Sequence, residues 1–263
     1  MGTLYHHSLF KFIIGVHPVI LQSDTADQLI WKERIMKTAI ILIICYLLGS
    51  IPFGLLWVKI FTGKDIRTIA SGRTGGTNAM RAGGFGVGFL TALMDIFKGF
   101  STYWVVMAFG ITNPWVRIFA ALAAVIGHNY SVFLLYRDEE RKLKLRGGAG
   151  GATALGGALA LSIPVGLIVW PLSILVFLFI GYASVTTLSI AFFSALIFLI
   201  RVLVQAPGAE WAYVIYGVLA ELLLIYALRP NIKRLREGNE RVVGLRAARI
   251  KKQQEKTPPS DPE

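Results

Sequence analysis

From Thr38 almost to Arg229 the chain is a succession of apolar runs, each near the roughly 20 residues that carry a helix across a bilayer core. In lipid only an element that satisfies its backbone N–H and C=O groups internally can span, so runs of this length leave the helix as the main element. Seven are read, at about 38–61, 86–110, 115–136, 150–164, 165–183, 184–204 and 210–228. The fourth and fifth could be one segment. However, 152–183 is too long for one ordinary span and is interrupted by Pro164 and Pro171, and proline breaks or kinks a helix. A mean hydropathy of +0.61, with 16% charged residues, places the chain among polytopic membrane proteins.

Charge decides the count and the orientation. Lys64, Arg67, Arg73 and Arg81 follow the first run; Arg137, Arg141, Lys142, Lys144 and Arg146 follow the third; the chain is densely basic from Arg229 onward. Basic loops face the cytoplasm, and splitting 150–183 into two spans puts all three regions on one side. The expectation is an all-α integral membrane protein of seven transmembrane helices, N-terminus outside and C-terminus cytoplasmic. The formal charge of +12 then follows from loops beside anionic headgroups and calls for no nucleic-acid partner. A single cysteine, Cys45 inside the first run, provides neither a disulfide framework nor a cysteine metal site. Residues 1–35 read as an N-terminal extension, since "LFKFIIGVHPVIL" is short and carries Lys11 and Pro18, whereas "MKTAIILIICYLLGS" from Met36 has the form of a natural start, so that a misplaced start codon would account for what precedes it. Residues 36–240 form the membrane domain, and 241–263 a basic tail, surface-lying or disordered.

Polar residues in or beside the spans carry the functional information, because a charge in lipid costs several kcal/mol unless it is paired or lines a wet cavity. Three constellations fall on the cytoplasmic side. "GSIPFG" (Gly49 to Gly54) leads through "KDIR" into "SGRTGGTNAMR", residues 71–81. That loop is either a flexible connector or an anion cradle of backbone N–H groups, hydroxyls and guanidinium forks. In "LMDIFKG", Asp95 and Lys98 are three apart and share a helix face, which suits a structural ion pair as well as catalysis. "GHNYSVF" (Gly127 to Phe133) precedes "RGGAGGAT" (Arg146 to Thr153). Its glycines serve either close helix packing or an anion at a helix N-terminus.

The ordered set G-S-x-P-F-G, D-x-R, S-G-x-x-G-x-T-N-x-x-R, L-x-D-x-x-K-G, G-H and R-G-G-x-G-x-A-T resembles the PlsY family, bacterial acyl-phosphate:glycerol-3-phosphate acyltransferases. The resemblance continues in "YASVTT" and "RPNIKRLREGNE" and covers about Met36 to Glu240. It implies seven helices with a cytoplasmic site, in the bacterial cytoplasmic membrane. The implied reaction moves a fatty acyl group from acyl phosphate to the 1-hydroxyl of glycerol 3-phosphate, giving lysophosphatidate, with no metal or other cofactor. An acyl phosphate brings its own leaving group, so a positioned hydroxyl can attack directly. The chain lacks the G-x-S-x-G elbow of a serine nucleophile. By position, the resemblance implies catalytic roles for Ser71, Arg81, His128 and Asn231. It implies phosphate-binding roles for Arg67, Thr77, Asn78, Lys98, Arg146, Gly147, Gly148, Gly150, Ser184 and Arg234, and Arg73 joins them by its charge and not by the resemblance.

The chain departs from the family pattern in several places. Arg73 stands where the family has Asn, Ala149 where it has a phosphate-binding Lys, Leu228 where it has His, and Ser131 where it has Pro. About nine extra residues, Arg137 to Leu145, precede the second glycine-rich turn. Arg73 can compensate for the lost lysine, since a guanidinium offers a bidentate phosphate contact. The rival reading is a non-catalytic relative that binds acyl phosphate or a lipid phosphate. A small-solute transporter fits less well, because no inverted repeat is visible and the polar groups gather on one face instead of at the midplane.

Overall fold

The computed structural model describes residues 19–138 and 140–254. Lys11, Pro18 and the terminal "KTPPSDPE" lie outside the described residues. The chain divides into two units, 1–40 and 41–263. In the first, residues 19–40 are helical, as the leading part of α1 (Val19–Ser50), and Glu33 and Lys37 pair one turn apart at 2.6 Å.

In the second unit, the end of α1 is followed by α2 (Phe53–Thr62) after a break at Ile51 and Pro52. Next come α3 (Gly76–Phe100) and α4 (Thr102–Ala108), then α5 (Pro114–Asn129). A hairpin of β1 (Ser131–Arg137) and β2 (Leu143–Arg146) leads to α6 (Gly151–Leu161) and α7 (Ile163–Phe179). The long helices α8 (Ala183–Leu203) and α9 (Trp211–Arg236) precede a terminal α10 (Gly244–Gln254). Each of the seven apolar runs contains helix. Four stretches are long and apolar enough to cross a bilayer unaided: Asp27–Thr62, Gly76–Ala108, Ala183–Leu203 and Trp211–Arg236.

Three expectations are corrected. Residues 76–81, read as loop, open α3: Gly75 is extended, and the first helical piece runs to Gly84, whose φ of 85° breaks it. Its small polar composition concealed it from any hydropathy reading. The third run does not stay helical to 136. The helix stops at Asn129 and "SVFLLYR" is a strand, because a short apolar run rich in β-branched and aromatic residues has no period that tells strand from helix. The all-α expectation thus needs one exception, this hairpin. The basic tail is helical over Gly244–Gln254, so disorder does not describe those residues.

The division within 150–183 falls at Ser162, which is extended (φ −158°, ψ 109°) between α6 and α7, with proline in the first turn of the latter. The interior is built from α5 to α9, with Ile118, Val125, Leu155, Val165, Phe198, Tyr216 and Leu224 in one buried cluster. In lipid the hydrophobic effect does not drive helices together, so backbone approach through small residues does. At the crossing of α3 and α6, a Cβ on Gly99 would stand 2.1 Å from the Thr153 carbonyl oxygen, and one on Gly156 2.0 Å from that of Ile96. This contact fixes α3 against the helix that begins at the second glycine-rich turn.

Candidate active site

At one end of this unit a cleft of about 760 Å³ is lined by Arg67, Ser71, Gly72 and Arg73 from the first glycine-rich stretch and by Arg146, Gly147 and Gly148 from the second. Asn129 and Tyr130 at the end of α5, and Tyr226, Ala227, Arg229 and Pro230 of α9, complete the wall. The three basic regions of the sequence therefore meet in one place.

Backbone bonding holds the two glycine-rich stretches side by side. The Thr74 N–H donates to the Gly147 carbonyl at 3.3 Å. The Asn78 amide, buried in α3, donates to the carbonyls of Ile66, Ile69 and Arg73 at 3.3, 3.0 and 2.9 Å. Asn78 thus shapes the loop from behind and does not line the cleft. Asp65 closes the loop's beginning. It accepts from the Arg67 backbone N–H at 2.9 Å and pairs with its guanidinium at 2.7 Å. The Arg67 hydrogen bonds hold the Asp65 carboxyl down at about 2.

Arg73 is the cation most clearly held for a ligand. One Nη donates to the Ala227 carbonyl, while the other is buried without a partner among the described residues. Burial, followed by repulsion from Arg234, lowers its pKa from the ordinary guanidinium value, yet an arginine remains charged. On α9, Pro230 has no N–H for the Tyr226 carbonyl four residues back. Arg229 Nε donates to that carbonyl at 3.2 Å, with its guanidinium 3.7 Å from the Tyr226 ring. Arg146 lies 4.1 Å over the Tyr136 ring. These arginines are held by rings and carbonyls, and none of the three has an ion-pair partner among the described residues.

The second glycine-rich stretch packs on the end of α5. The Gly148 N–H donates to the His128 carbonyl at 2.9 Å, and a Cβ on Gly148 would stand 1.9 Å from His128 Nε2. His128 therefore sits one layer behind the wall, among buried charges. Its Nδ1 is 3.5 Å from Asp95 Oδ1, and Lys98 Nζ is 3.0 Å from the same oxygen and donates to the Ile51 carbonyl at 3.0 Å. Gly150, with a φ of 87°, keeps space for Asn129, whose Oδ1 an added Cβ would approach to 2.5 Å.

The remaining expected residues are outside the cleft wall. Thr77 lies partly exposed in the first turn of α3, and Ser184 Oγ is buried in the first turn of α8 without a hydrogen-bond partner among the described residues. Asn231 Nδ2 and Arg234 Nε both donate to Glu240, at 2.9 and 3.1 Å. Arg81 is exposed on α3 and within electrostatic reach of Arg241 and Glu240. Sequence reasoning missed Asn129, Tyr130, Tyr226, Arg229 and Glu240. Asn129 directly follows the G-H pair, and neither its Oδ1 nor its Nδ2 has a hydrogen-bond partner among the described residues although the residue is 5% exposed. Glu240 closes the last motif, where its carboxylate is the natural acceptor for the cations before it.

Among the described residues no cluster of His, Cys, Asp and Glu could hold a metal ion. What the cleft can do is bind anions: Arg73, Arg146 and Arg229, which have no ion-pair partner among the described residues, stand beside two glycine-bearing backbone turns and suit phosphate oxygens.

Comparison with known proteins agrees. The family model described as glycerol-3-phosphate acyltransferase matches residues 39–238. A protein of that name from Syntrophomonas wolfei is 36% identical over 205 residues, 78% of this chain and 96% of the relative. One from Thermus thermophilus is 38% identical over 206 residues, 78% and 95%. The crystal structure of PlsY (YgiH), an integral membrane glycerol 3-phosphate acyltransferase, in its glycerol 3-phosphate form superposes with a TM-score of 0.67 at 34% identity, covering 80% of this chain and 98% of that one. Its lysophosphatidic acid form gives 0.64 at 33%, covering 79% and 96%. With residues 39–238 matched by the family model and relatives above 30% identity covered over nearly their whole length, the chain belongs to the glycerol-3-phosphate acyltransferase family.

Proposed function

We propose that this chain is an acyltransferase that moves a fatty acyl group from acyl phosphate to the 1-hydroxyl of glycerol 3-phosphate, giving lysophosphatidate and inorganic phosphate. The observation that carries the reading is the cleft's set of uncancelled guanidinium groups, Arg73, Arg146 and Arg229, beside two glycine-bearing turns. A site for two phosphorylated substrates needs that much positive charge. In the reaction the hydroxyl oxygen bonds to the acyl carbon, the carbon–oxygen bond to the bridging phosphate oxygen breaks, and the departing phosphate can take the hydroxyl proton. Negative charge grows on that phosphate as the bond breaks, so a cation aimed at it contributes most in the transition state. Arg73, with one Nη unpartnered, is assigned this role in place of the family's lysine at position 149. Arg67 and Ser71 hold the second phosphate beside the Gly147–Gly148 turn, whose own Gly148 N–H is spent on the His128 carbonyl. Asn78, Asp95, Lys98, His128, Asn231 and Arg234 act by positioning these groups.

The same reading places seven spans in the bacterial cytoplasmic membrane, N-terminus outside, with the cleft and the basic C-terminus in the cytoplasm. Residues 36–240 form the catalytic body, residues 1–35 an N-terminal extension, and residues 241–263 a tail at the membrane surface. The test is purified protein with palmitoyl phosphate and glycerol 3-phosphate, following lysophosphatidate. Turnover supports the assignment; tight binding of palmitoyl phosphate without product would leave a non-catalytic relative. The topology is tested by a tag after Glu263, which should be shielded from protease in intact cells. Cleavage there would overturn the orientation.

A further inference from the structure

Apart from Arg146, the acyltransfer reading gives the hairpin no role. Its register pairs Leu135 with Leu145, Tyr136 with Lys144 and Arg137 with Leu143. Alternation along a strand then sorts the side chains into two faces. Leu134, buried, and Tyr136, under the Arg146 guanidinium, belong to the face that packs toward the cleft. The other face carries Leu135, Leu143 and Leu145, which are 50%, 62% and 38% exposed. Phe133, just before the register shift, is 58% exposed.

We propose that this apolar face lies in the boundary between headgroups and acyl chains of an anionic leaflet, and that the hairpin thereby forms the lipid-side rim of the cleft. Three observations support the choice of occupant. First, the hairpin starts two residues after α5 ends, so in a membrane-spanning chain it emerges at the edge of the bilayer. Second, the cations around the apolar face are not all spent. Lys142 and Lys144 pair with Glu140 and Asp138, but Arg137 and Arg141 have no ion-pair partner among the described residues, and lipid phosphates would supply one. Third, the strand edges set the depth. A two-stranded sheet leaves unpaired N–H and C=O groups along both edges, which hydrocarbon cannot satisfy, whereas at the headgroup boundary water and phosphates can. An isolated hairpin is also marginal in water, and burial of its second face would complete it. Because Arg146 belongs to both β2 and the cleft wall, an acyl phosphate with its chain in the leaflet would reach the arginines past this rim. That last step rests on the proposed reaction, whereas the location of the hairpin does not.

The test therefore reads location without activity. A Leu143→Cys protein carries an environment-sensitive fluorophore in vesicles of phosphatidylcholine with phosphatidylglycerol; Cys45 is buried, and wild type measures its background labelling. The proposal expects the label to be quenched at least twofold by lipid spin-labelled near the headgroup, more than by lipid labelled deep in the chain, and to be shielded from aqueous iodide. Arg137→Glu combined with Arg141→Glu should at least halve the lipid quenching in anionic vesicles. Full iodide quenching with none from lipid would overturn the proposal. Quenching unchanged by the charge reversal, or equal in purely neutral vesicles, would overturn its anionic part. If the label proves lipid-embedded but lysophosphatidate never forms, the acyltransferase reading fails and the docking stands.

Discussion

Lys98 and Arg73 are both cations drawn into protein, and the molecule treats them in opposite ways. Lys98 is 3% exposed, stands 3.0 Å from an Asp95 carboxylate oxygen that also faces His128, and spends a further hydrogen bond on the Ile51 carbonyl. Arg73 has no carboxylate within ion-pair distance among the described residues, and one of its guanidinium nitrogens is buried without a partner. The first arrangement neutralises a charge where α3 and α5 meet, and the second keeps a charge available at a surface open to substrate. The Gly148 turn separates them, with His128 against its inner side and the cleft on its outer side. The two cations thus differ by the presence of a counter-ion, a distinction that residue type alone does not carry, and under the proposed function it is the one without a counter-ion that meets substrate.

The sharpest way to break this comparison is to remove the counter-ion. Asp95→Asn leaves Lys98 buried and uncompensated, and losing one partner of a buried pair costs about 3–5 kcal/mol. Thermal unfolding in detergent should show a severely destabilised protein, and unchanged stability would mean that the pair is not what holds Lys98 inside. Arg81→Ala should slow turnover without such a loss, since Arg81 is exposed beside Glu240 and Arg241. A charge-assisted contact is worth on the order of 1.5–3 kcal/mol, so removing this charge beside Glu240, which holds Asn231 and Arg234, should cost at least tenfold in kcat/KM. Arg67→Ala should cost less, about threefold to tenfold, because Asp65 already claims part of that guanidinium. The smallest effect concerns Asp65 itself. Its folded pKa of about 2 lies below its ordinary 3.8, so its contribution is complete above the ordinary value and fades as pH falls from there through about 2. Exposed pairs are worth about 0–1 kcal/mol. Asp65→Asn should therefore lower stability by no more than that at pH 7, and the difference from wild type should shrink as pH falls below 3.8 and vanish only below about 2.

The same two regions explain what could be read from sequence. The apolar runs announced their helices because length alone separates a span from a loop, and parts of the family motifs, Ser71–Arg73 and Arg146–Gly148, line one cleft. The strand at Ser131–Arg137 was not legible, since its alternation is masked by residues that are apolar on both faces. The helix at 76–83 was concealed by a composition indistinguishable from that of a turn. Within the site, pattern could name His128, Lys98 and Asn78 but could not say that they stand behind the wall, because that depends on Gly148 and Gly150 letting α5 approach the turn. Asn129 and Glu240 were within view, inside motifs already quoted. Their roles follow from partners, or the lack of them, that only folding brings together.

The most direct measurement compares palmitoyl-phosphate-dependent formation of lysophosphatidate by wild type, Arg73→Ala, and Arg73→Asn combined with Ala149→Lys. Because the Thr74 N–H donates to the Gly147 carbonyl, position 73 lies beside the turn that carries position 149, and either side can present a cation to the departing phosphate. The account predicts an active wild type, at least a tenfold loss in Arg73→Ala with little change in thermal stability, and partial recovery in the double variant. An active wild type whose rate is indifferent to Arg73→Ala would contradict the claim that this uncancelled charge carries the reaction.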